Sequence, residues 1–379
     1  MNARAVASLS NVSRRSQSGQ VTVARFSAIV DARFGDGFNL AVPVQSAGPP
    51  AGLRFIPPTA HRVGMSSTTA STPSTVAVVG AGTMGHGLAL QFARHGAGVT
   101  LVDHRESNLD DARAGVDDAL EFLAAEGLLD ADPETVRDRI DYTLDTSAAV
   151  TDVDLVVETV SEALTVKESV FEELAAAAPD DAVLATNTSG IPITDIAAAV
   201  PEAADRVVGC HWWNPPYLLP TVEVVRGAAT SDETVDRTAA FVEAVNREPI
   251  RVERDVPGFV WNRIQFAVLR ECTHLVSEGV ASLGDVERAV RDGYALRTAV
   301  VGPFETADLA GLDLFRTIAA DLYPHLSDAD DPGPLFDERL ATGRGGVDDG
   351  AGFHEYDAPP ADVIRRRDER VAAIRRALD

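Results

Sequence analysis

Lysine is almost absent from this sequence. Lys167 is the only one in 379 residues, so the rest of the 33 basic residues are arginines. Acidic residues number 58, and the formal net charge at pH 7 is -25. A surface this rich in carboxylates repels the phosphate backbone of nucleic acids, which proteins bind through clustered cations. We therefore expect no nucleic-acid partner.

Cysteine and long apolar runs are also scarce. Cys210 and Cys272 are the only cysteines and form no zinc or disulfide pattern, so we expect no metal site and a reducing cytoplasm. No apolar run reaches the ~18 residues of a membrane span, so no membrane association is expected. Hydrophobic residues still make up 45% of the chain, which is enough for a sizeable core. The length allows two domains of about 150 residues each.

The acid-rich, lysine-poor composition resembles that of proteins from halophilic archaea. At molar salt the Debye length falls to about 3 Å, so the carboxylates of such a surface no longer repel one another strongly. We expect a halophilic protein.

The first 64 residues do not share this composition. They contain seven arginines and two aspartates, without glutamate or lysine. Arginine-rich, acid-poor segments can be transit peptides. A start site assigned too early, with Met65 as the true start, fits the acidic remainder better, and we favour it. We treat residues 1–73 as an extension that is disordered or not native, and expect no catalytic role for it.

The rest of the chain is organised around residues 75–96, which read TVAVVGAGTMGHGLALQFARHG. Residues 76–79 are a short apolar, β-branched run, typical of a buried parallel strand. Gly80, Gly82 and Gly85 follow, and an amphipathic helical pattern ends at Gly96. Gly80 allows a tight turn, Gly82 allows the backbone to approach phosphates, and Gly85 allows the helix to pack on the strand. This order predicts a dinucleotide site at a helix N-terminus.

The cofactor can be specified further from the next strand. Residues 99–102 form a second apolar run that ends in Asp103, close to the ~20 residues expected after a dinucleotide turn. A carboxylate there accepts hydrogen bonds from ribose hydroxyls and repels a 2′-phosphate, so we predict NAD rather than NADP. Thr83 and Met84 complete the predicted cofactor turn. The alternative is an ordinary glycine turn followed by a surface aspartate.

The coarse pattern divides the chain after this extension into two domains. The pattern of residues 74–254 alternates between strands and helices. Within it, the polar stretch from Asp103 to about Ile140 reads as helical. Residues 255–379 read as helical, with an acidic, glycine-rich connector at 327–352 and a final basic helix at 361–378. We predict an α/β fold with a doubly wound parallel sheet of the Rossmann type, followed by an all-helical C-terminal domain.

A candidate catalytic pair lies at the end of this α/β region. His211 comes directly after the apolar strand at residues 207–210, and ligands of parallel sheets bind at the carboxyl ends of strands. Glu223 lies inside the apolar strand at 221–225, where a carboxylate needs a partner. A carboxylate that binds one imidazole nitrogen leaves the other free as a base. Oxidation of an alcohol by NAD needs such a base. The alternative is a buried structural pair.

These motifs together resemble the 3-hydroxyacyl-CoA dehydrogenase family over residues 75 to about 325. The resemblance rests on the nucleotide turn, a V-V-E…K segment, N-T-S, H-x-x-N-P…E and P-G-F-x-x-N-R, which occur in that order. It implies a two-domain, NAD-dependent enzyme that forms a homodimer through its helical domain.

The resemblance also implies roles for individual residues. It makes His211 the catalytic base, Glu223 its orienting partner, and Ser189 and Asn262 the groups that bind the reacting part of the substrate. Contacts to the cofactor are expected from Glu162, Lys167, Asn187 and Asn214. Asn262 could also be a surface asparagine of its helix.

Some positions depart from the family and leave the substrate open. Trp212 and Trp213 replace two phenylalanines. The Pro215–Pro216 pair, residues 302–306 and the basic C-terminal helix look more like relatives that oxidise L-gulonate, including lens lambda-crystallins, whereas residues 350–356 resemble the acyl-CoA enzymes. Our leading hypothesis is a 3-hydroxyacyl-CoA substrate, and the alternative is a free hydroxy acid such as L-gulonate. A non-catalytic NADH-binding structural protein is a third hypothesis, which the complete catalytic set disfavours.

Overall fold

The computed structural model describes residues 74–378. The expectations for residues 1–73 lie outside this part of the chain. Within it, no helix combines the length and the apolar character that crossing a membrane requires.

Eight strands build the core of the described chain. They are Thr75–Val79 (β1), Gly98–Val102 (β2), Ile140–Thr143 (β3), Leu155–Glu158 (β4), Val183–Thr186 (β5), Val207–Trp212 (β6), Thr221–Val225 (β7) and Glu248–Val252 (β8). They form one sheet in the order β3-β2-β1-β4-β5-β6-β7-β8. Neighbouring strands from β3 to β6 are parallel, β7 runs antiparallel to β6, and β8 is parallel to β7.

Helices connect these strands on both faces of the sheet. They are Thr83–Arg94 (α1), Glu106–Ala125 (α2), Pro133–Arg137 (α3), Thr146–Ala149 (α4), Leu164–Ala177 (α5), Ile193–Ala197 (α6) and Asp232–Ala244 (α7), with a 3₁₀ helix at Pro201–Arg206. After β8 the chain is helical. The further helices are Trp261–Ser277 (α8), Leu283–Arg288 (α9), Leu296–Thr298 (α10), Pro303–Ala310 (α11), Leu312–Leu322 (α12), Pro334–Ala341 (α13) and Pro360–Leu378 (α14). A π-helical segment, Ala289–Ala295, links α9 to α10, and a 3₁₀ turn, Tyr323–His325, follows α12.

The first strand shows why the sheet is buried on both faces. Val76 and Val78 point into one apolar cluster, and Ala77 and Val79 point into the other. Successive side chains of a strand alternate between faces, so a run without polar residues must be covered on both sides. The helices supply that cover on both faces.

The strand order creates a crevice beside the glycine turn. The chain moves outward from β1 to β2 and β3, and then returns to the other side of β1 as β4. The chain therefore leaves the adjacent carboxyl ends of β1 and β4 in opposite directions, and open α/β sheets bind ligands at this kind of switch point. The predicted fold class is confirmed.

Two local predictions differ from the structure, and the structure adds detail to a third segment. Ile140–Thr143 is an edge strand rather than the end of a helix, because its polar residues face solvent while Ile140 is buried. Helix α13 lies within residues 327–352, which the sequence analysis describes only as an acidic, glycine-rich connector. His211 is part of β6 rather than of the loop after it, which extends the strand by two residues.

Candidate active site

The glycine turn joins β1 to α1, and its three glycines are explained by different contacts. Gly80 has φ +108°, and a Cβ there would lie 2.7 Å from the Thr159 carbonyl oxygen. A Cβ on Gly85 would lie 1.8 Å from the Gly80 carbonyl oxygen. A Cβ on Gly82 would meet no protein atom within 4 Å, so packing does not require glycine there. Close approach of a pyrophosphate does require it, so the turn fits a dinucleotide.

Asp103 is fixed beside this turn. Its Oδ2 accepts the Ala81 amide at 2.9 Å, and its Oδ1 accepts the Asn108 side-chain amide at 2.9 Å and the Arg105 backbone amide at 3.1 Å. The carboxylate is therefore held at the end of β2 by the turn itself. A fixed negative charge at this place suits ribose hydroxyls and opposes a 2′-phosphate. Thr83 and Met84 form the first turn of α1 beside it.

The structure joins the two members of the predicted catalytic pair. His211 and Glu223 lie directly opposite each other in the antiparallel β6–β7 pair, so their side chains share one face of the sheet. His211 Nδ1 donates to Glu223 Oε2 at 2.7 Å, and both side chains are buried. This bond fixes the neutral tautomer with its lone pair on Nε2. Nε2 bonds none of the described residues, so it can accept a proton from a substrate.

The other oxygen of Glu223 binds the beginning of α8. Its Oε1 accepts the backbone amides of Val260 at 2.8 Å and Trp261 at 2.9 Å. Burial alone would raise the pKa of Glu223, but the hydrogen bonds from His211 and from these two amides outweigh it and hold the pKa below its ordinary value. Glu223 therefore stays ionised beside His211 and can stabilise an imidazolium.

A second set of contacts brings Ser189 and Asn262 together. Asn262 Nδ2 donates to the Ser189 carbonyl oxygen at 2.7 Å, and both the amide and the hydroxyl of Ser189 donate to Glu162 Oε1, at 2.7 and 3.0 Å. Burial would raise the pKa of Glu162, but Thr188, Lys167 and Ser189 together lower it. The remaining N–H and the Oδ1 of Asn262 bond none of the described residues, so they are available to a ligand.

Lys167 has a deeper position than a direct cofactor contact requires. Its ammonium is buried and donates to both oxygens of Glu158, at 2.8 and 3.1 Å, and it lies 3.3 Å from Glu162 Oε2. Lys167 therefore connects Glu158 to the Glu162–Ser189 contacts. Glu158 was not among the predicted site residues. The sequence feature that points to Glu158 is a carboxylate at the end of an apolar run, nine residues before the only lysine.

The structure shows contacts for only one of the two asparagines, Asn187 and Asn214, that were predicted to bind the cofactor. Asn187 Oδ1 accepts the Trp212 backbone amide at 2.8 Å, so it fixes the strand segment that carries His211. Asn214 is exposed in the loop after β6 and bonds none of the described residues. The structure thus links Asn187 to the catalytic pair and leaves the role of Asn214 as a prediction.

The cysteine next to the base is not a second catalytic group. Cys210 is fully buried, and burial raises the pKa of its thiol to about 12. A thiol with this pKa is protonated at neutral pH and is a poor nucleophile. The chemistry of the site therefore depends on His211.

Comparison with known proteins supports the same chemistry. The chain matches the model of the 3-hydroxyacyl-CoA dehydrogenase NAD-binding domain over residues 75–256. It matches the model of the C-terminal domain of the same enzymes over residues 258–356. The cofactor predicted from the glycine turn and Asp103 is thus confirmed as NAD.

Individual relatives act on different substrates. The chain is 34% identical to 5-formyl-3-hydroxy-2-methylpyridine 4-carboxylate 5-dehydrogenase of Mesorhizobium japonicum, over 80% of this chain and 98% of the relative. A solved structure of an enzyme of that name, described as an NAD⁺-dependent dismutase, has a TM-score of 0.75 and covers 80% of this chain and 98% of its own. A probable 3-hydroxybutyryl-CoA dehydrogenase of Deinococcus radiodurans is 36% identical, over 74% of this chain and 99% of the relative. L-carnitine dehydrogenase of Streptomyces coelicolor is 34% identical, over 80% of this chain and 94% of the relative.

Proposed function

This chain belongs to the 3-hydroxyacyl-CoA dehydrogenase family and is an NAD-dependent oxidoreductase. From that premise we propose that it oxidises the 3-hydroxyl group of a 3-hydroxyacyl-CoA to the 3-keto group, with His211 as the general base. The observation that carries this proposal is the 2.7 Å bond between His211 Nδ1 and Glu223 Oε2, because it leaves Nε2 free to take the hydroxyl proton.

Each residue of the site has a defined part in this reaction. Bound NAD supplies the hydride acceptor. His211 Nε2 removes the hydroxyl proton, and Glu223 stabilises the imidazolium that results. Asn262 holds a substrate oxygen through its free N–H, and the Ser189 hydroxyl, which donates to Glu162 in this structure, turns its O–H to the substrate oxygen on binding. In the reverse direction the protonated His211 returns its proton to the substrate oxygen.

Family membership favours a CoA thioester, but one feature of the surface favours a free hydroxy acid as a second candidate. Arg113 is the only basic residue of α2, and Glu106 and Asp110 already pair with it, at 3.4 and 2.7 Å. The CoA phosphates would need cations or helix N-termini along their groove. A free acid carries only one carboxylate and does not need them.

A direct comparison of substrates tests both candidates. We expect kcat/KM for 3-hydroxybutyryl-CoA to exceed kcat/KM for L-gulonate and L-carnitine, with NAD and molar KCl throughout. A preference of tenfold or more for a free acid would reject the thioester and support the second candidate. Absence of turnover with all three substrates would reject both.

The same proposal includes a homodimer formed through the helical part. Among the described residues after Phe259, Val286 and Ala372 are the only buried apolar side chains. Large apolar side chains are instead exposed along α10 to α12, among them Leu296 (67%), Val300 (71%), Phe304 (86%) and Leu309 (75%). An apolar surface of this kind marks an interface. A second copy of the chain is the occupant that we propose.

We also propose that the enzyme works in a salt-rich cytoplasm. The acidic composition needs screening, as argued from the sequence, and both Cys210 and Cys272 are free thiols.

A further inference from the structure

Phe259 is a fully buried phenylalanine with a left-handed backbone conformation. Its φ is +48°, and it follows Gly258, whose φ is +77°. Residues with a Cβ rarely adopt such angles, because the Cβ then crowds the following carbonyl oxygen. A strained backbone of this kind persists only where the surrounding contacts hold it, and it occurs most often at functional sites. The contacts of the Phe259 ring therefore show what the strain maintains.

The ring of Phe259 packs against the catalytic imidazole. The ring centroids of Phe259 and His211 lie 5.9 Å apart, with 63° between the ring planes, which is an edge-on contact. Phe259 belongs to the apolar cluster that also contains Val207 of β6 and Val225 of β7. These two valines lie an even number of residues from His211 and Glu223, and so on the same face of the sheet. The ring therefore covers the buried side of the catalytic pair.

The chain on either side of Phe259 is fixed to the α/β part. Before it, Asp255 Oδ2 accepts the backbone amide and the hydroxyl of Thr194, at 2.7 and 2.6 Å. After it, the amides of the next two residues donate to Glu223 Oε1, at 2.8 and 2.9 Å. These anchors hold the left-handed turn and keep the ring beside the imidazole.

We propose that Phe259 is a positioning residue for the general base. Its ring closes the buried side of the His211–Glu223 pair to water and prevents the imidazole from turning about its Cβ–Cγ bond. An imidazole that turned would lose the bond from Nδ1 to Glu223, and its Nε2 would no longer point at the substrate. Water beside the carboxylate would compete for the same bond and weaken it. The inference rests on the proposed function, in which His211 takes the hydroxyl proton.

The Nδ1–H proton of His211 reports the access of water without any substrate. In the proton NMR spectrum of the ¹⁵N-labelled enzyme, the imidazole N–H signal that disappears in His211→Asn belongs to this group. We expect its exchange with water to be at least about tenfold faster in Phe259→Ala and Phe259→Gly than in the wild type. Phe122→Ala is the matched control and should leave the exchange unchanged. It also removes a buried phenyl ring, but from α2, where the ring contacts Tyr217.

Reaction rates of the same variants separate positioning from packing. We expect kcat to fall about 10–100-fold in both Phe259→Ala and Phe259→Gly, with KM for NAD unchanged, because a slightly misplaced base loses rate and not cofactor affinity. Phe259→Leu should stay within about threefold of the wild type, because leucine fills most of the same apolar space. The glycine variant should unfold at a higher temperature than the alanine variant, since only glycine adopts a positive φ without strain.

Three results would overturn the inference. The first is wild-type exchange, or wild-type kcat, in both the alanine and the glycine variants. The second is recovery of kcat in the glycine variant alone, which would assign the effect to backbone strain instead of the ring. The third is an equal effect of Phe122→Ala and Phe259→Ala on exchange and kcat. A wild type that oxidises none of the three substrates named above would instead contradict the proposed function, and the exchange measurement would still test the ring.

Discussion

His211 and Glu223 face each other across two antiparallel strands, with 2.7 Å between Nδ1 and Oε2. His211→Asn should retain NADH binding and lose about 10²–10⁴-fold in kcat, which is the usual contribution of a general base. Stopped-flow or steady-state rates and NADH titration measure the two effects separately. Near-normal turnover of this variant would remove His211 from the mechanism.

Glu223→Gln should lower kcat less than His211→Asn does. It should also shift the acid limb of the pH–rate profile to lower pH, since an imidazolium without a neighbouring carboxylate is less stable. The pKa of Glu223 is lowered in the folded protein, so its stabilising effect is complete above the unfolded value of about 4.3 and disappears as pH falls through the folded value. The difference in stability between wild type and variant should therefore shrink in acid. An unchanged difference down to acid unfolding would contradict this account.

Asp103→Ala should narrow the preference for NAD over NADP, because it removes both the ribose acceptor and the charge that opposes a 2′-phosphate. The ratio of kcat/KM for the two cofactors is the measurement. Asp111→Ala is the matched control, since it removes one exposed carboxylate from α2 without touching the turn. Equal use of both cofactors by the wild type would show that our interpretation of Asp103 is wrong.

Lys167→Met should lower the free energy of unfolding by about 3–5 kcal/mol, because it leaves the buried carboxylate of Glu158 without its cation. Equilibrium urea unfolding at fixed KCl measures the loss. The double variant Lys167→Met, Glu158→Gln should recover part of it, since no buried charge then remains. A single variant within 1 kcal/mol of wild type would show that this pair is not important for stability.

Activity and native circular dichroism should rise from dilute buffer to molar KCl. The formal charge of -25 makes the folded chain repel itself until salt screens the carboxylates. A sugar series of matched osmolality is the control that separates screening from changes in water activity. Full stability in dilute buffer would contradict the halophilic interpretation.

Phe304→Glu should convert the proposed dimer to a monomer, because it places a charge in the most exposed apolar side chain of the helical part. Sedimentation velocity at molar KCl measures the mass. Leu144→Glu, on the exposed surface after β3, is the control and should leave the mass unchanged. A wild type that already sediments as a monomer would refute the dimer.

The parts of the fold that the sequence predicted are those with repeated local signals. Residues 76–79 and the three glycines specify a strand, a turn and a helix within one short segment, and the apolar strand around Glu223 required a partner for its carboxylate. Ile140–Thr143 escaped detection because an edge strand buries only one of its four residues, so its pattern resembles the polar helix before it.

The contacts that join distant segments could not be predicted from the sequence. The sequence offers Glu158 as a partner for Lys167, but it does not show that Lys167 is buried between Glu158 and Glu162, because that depends on how α5 packs against β4. Nothing local relates Asn262 to the carbonyl oxygen of Ser189, 73 positions earlier. The first of these contacts depends on packing within the α/β part, and the second arises only when the helical part is placed on the sheet.

The contact from Glu223 to the amides of Val260 and Trp261 limits how this enzyme can be recombined with its relatives. The two family models meet at residues 256 and 258, which makes that junction an obvious place to exchange one C-terminal half for another. A chimera joined there would receive these two amides from the incoming half. If the imported helix began one residue earlier or later, the carboxylate would lose its donors and the imidazole its alignment. Compatible halves should therefore be chosen by the length of the segment between the junction and that helix before overall identity is considered.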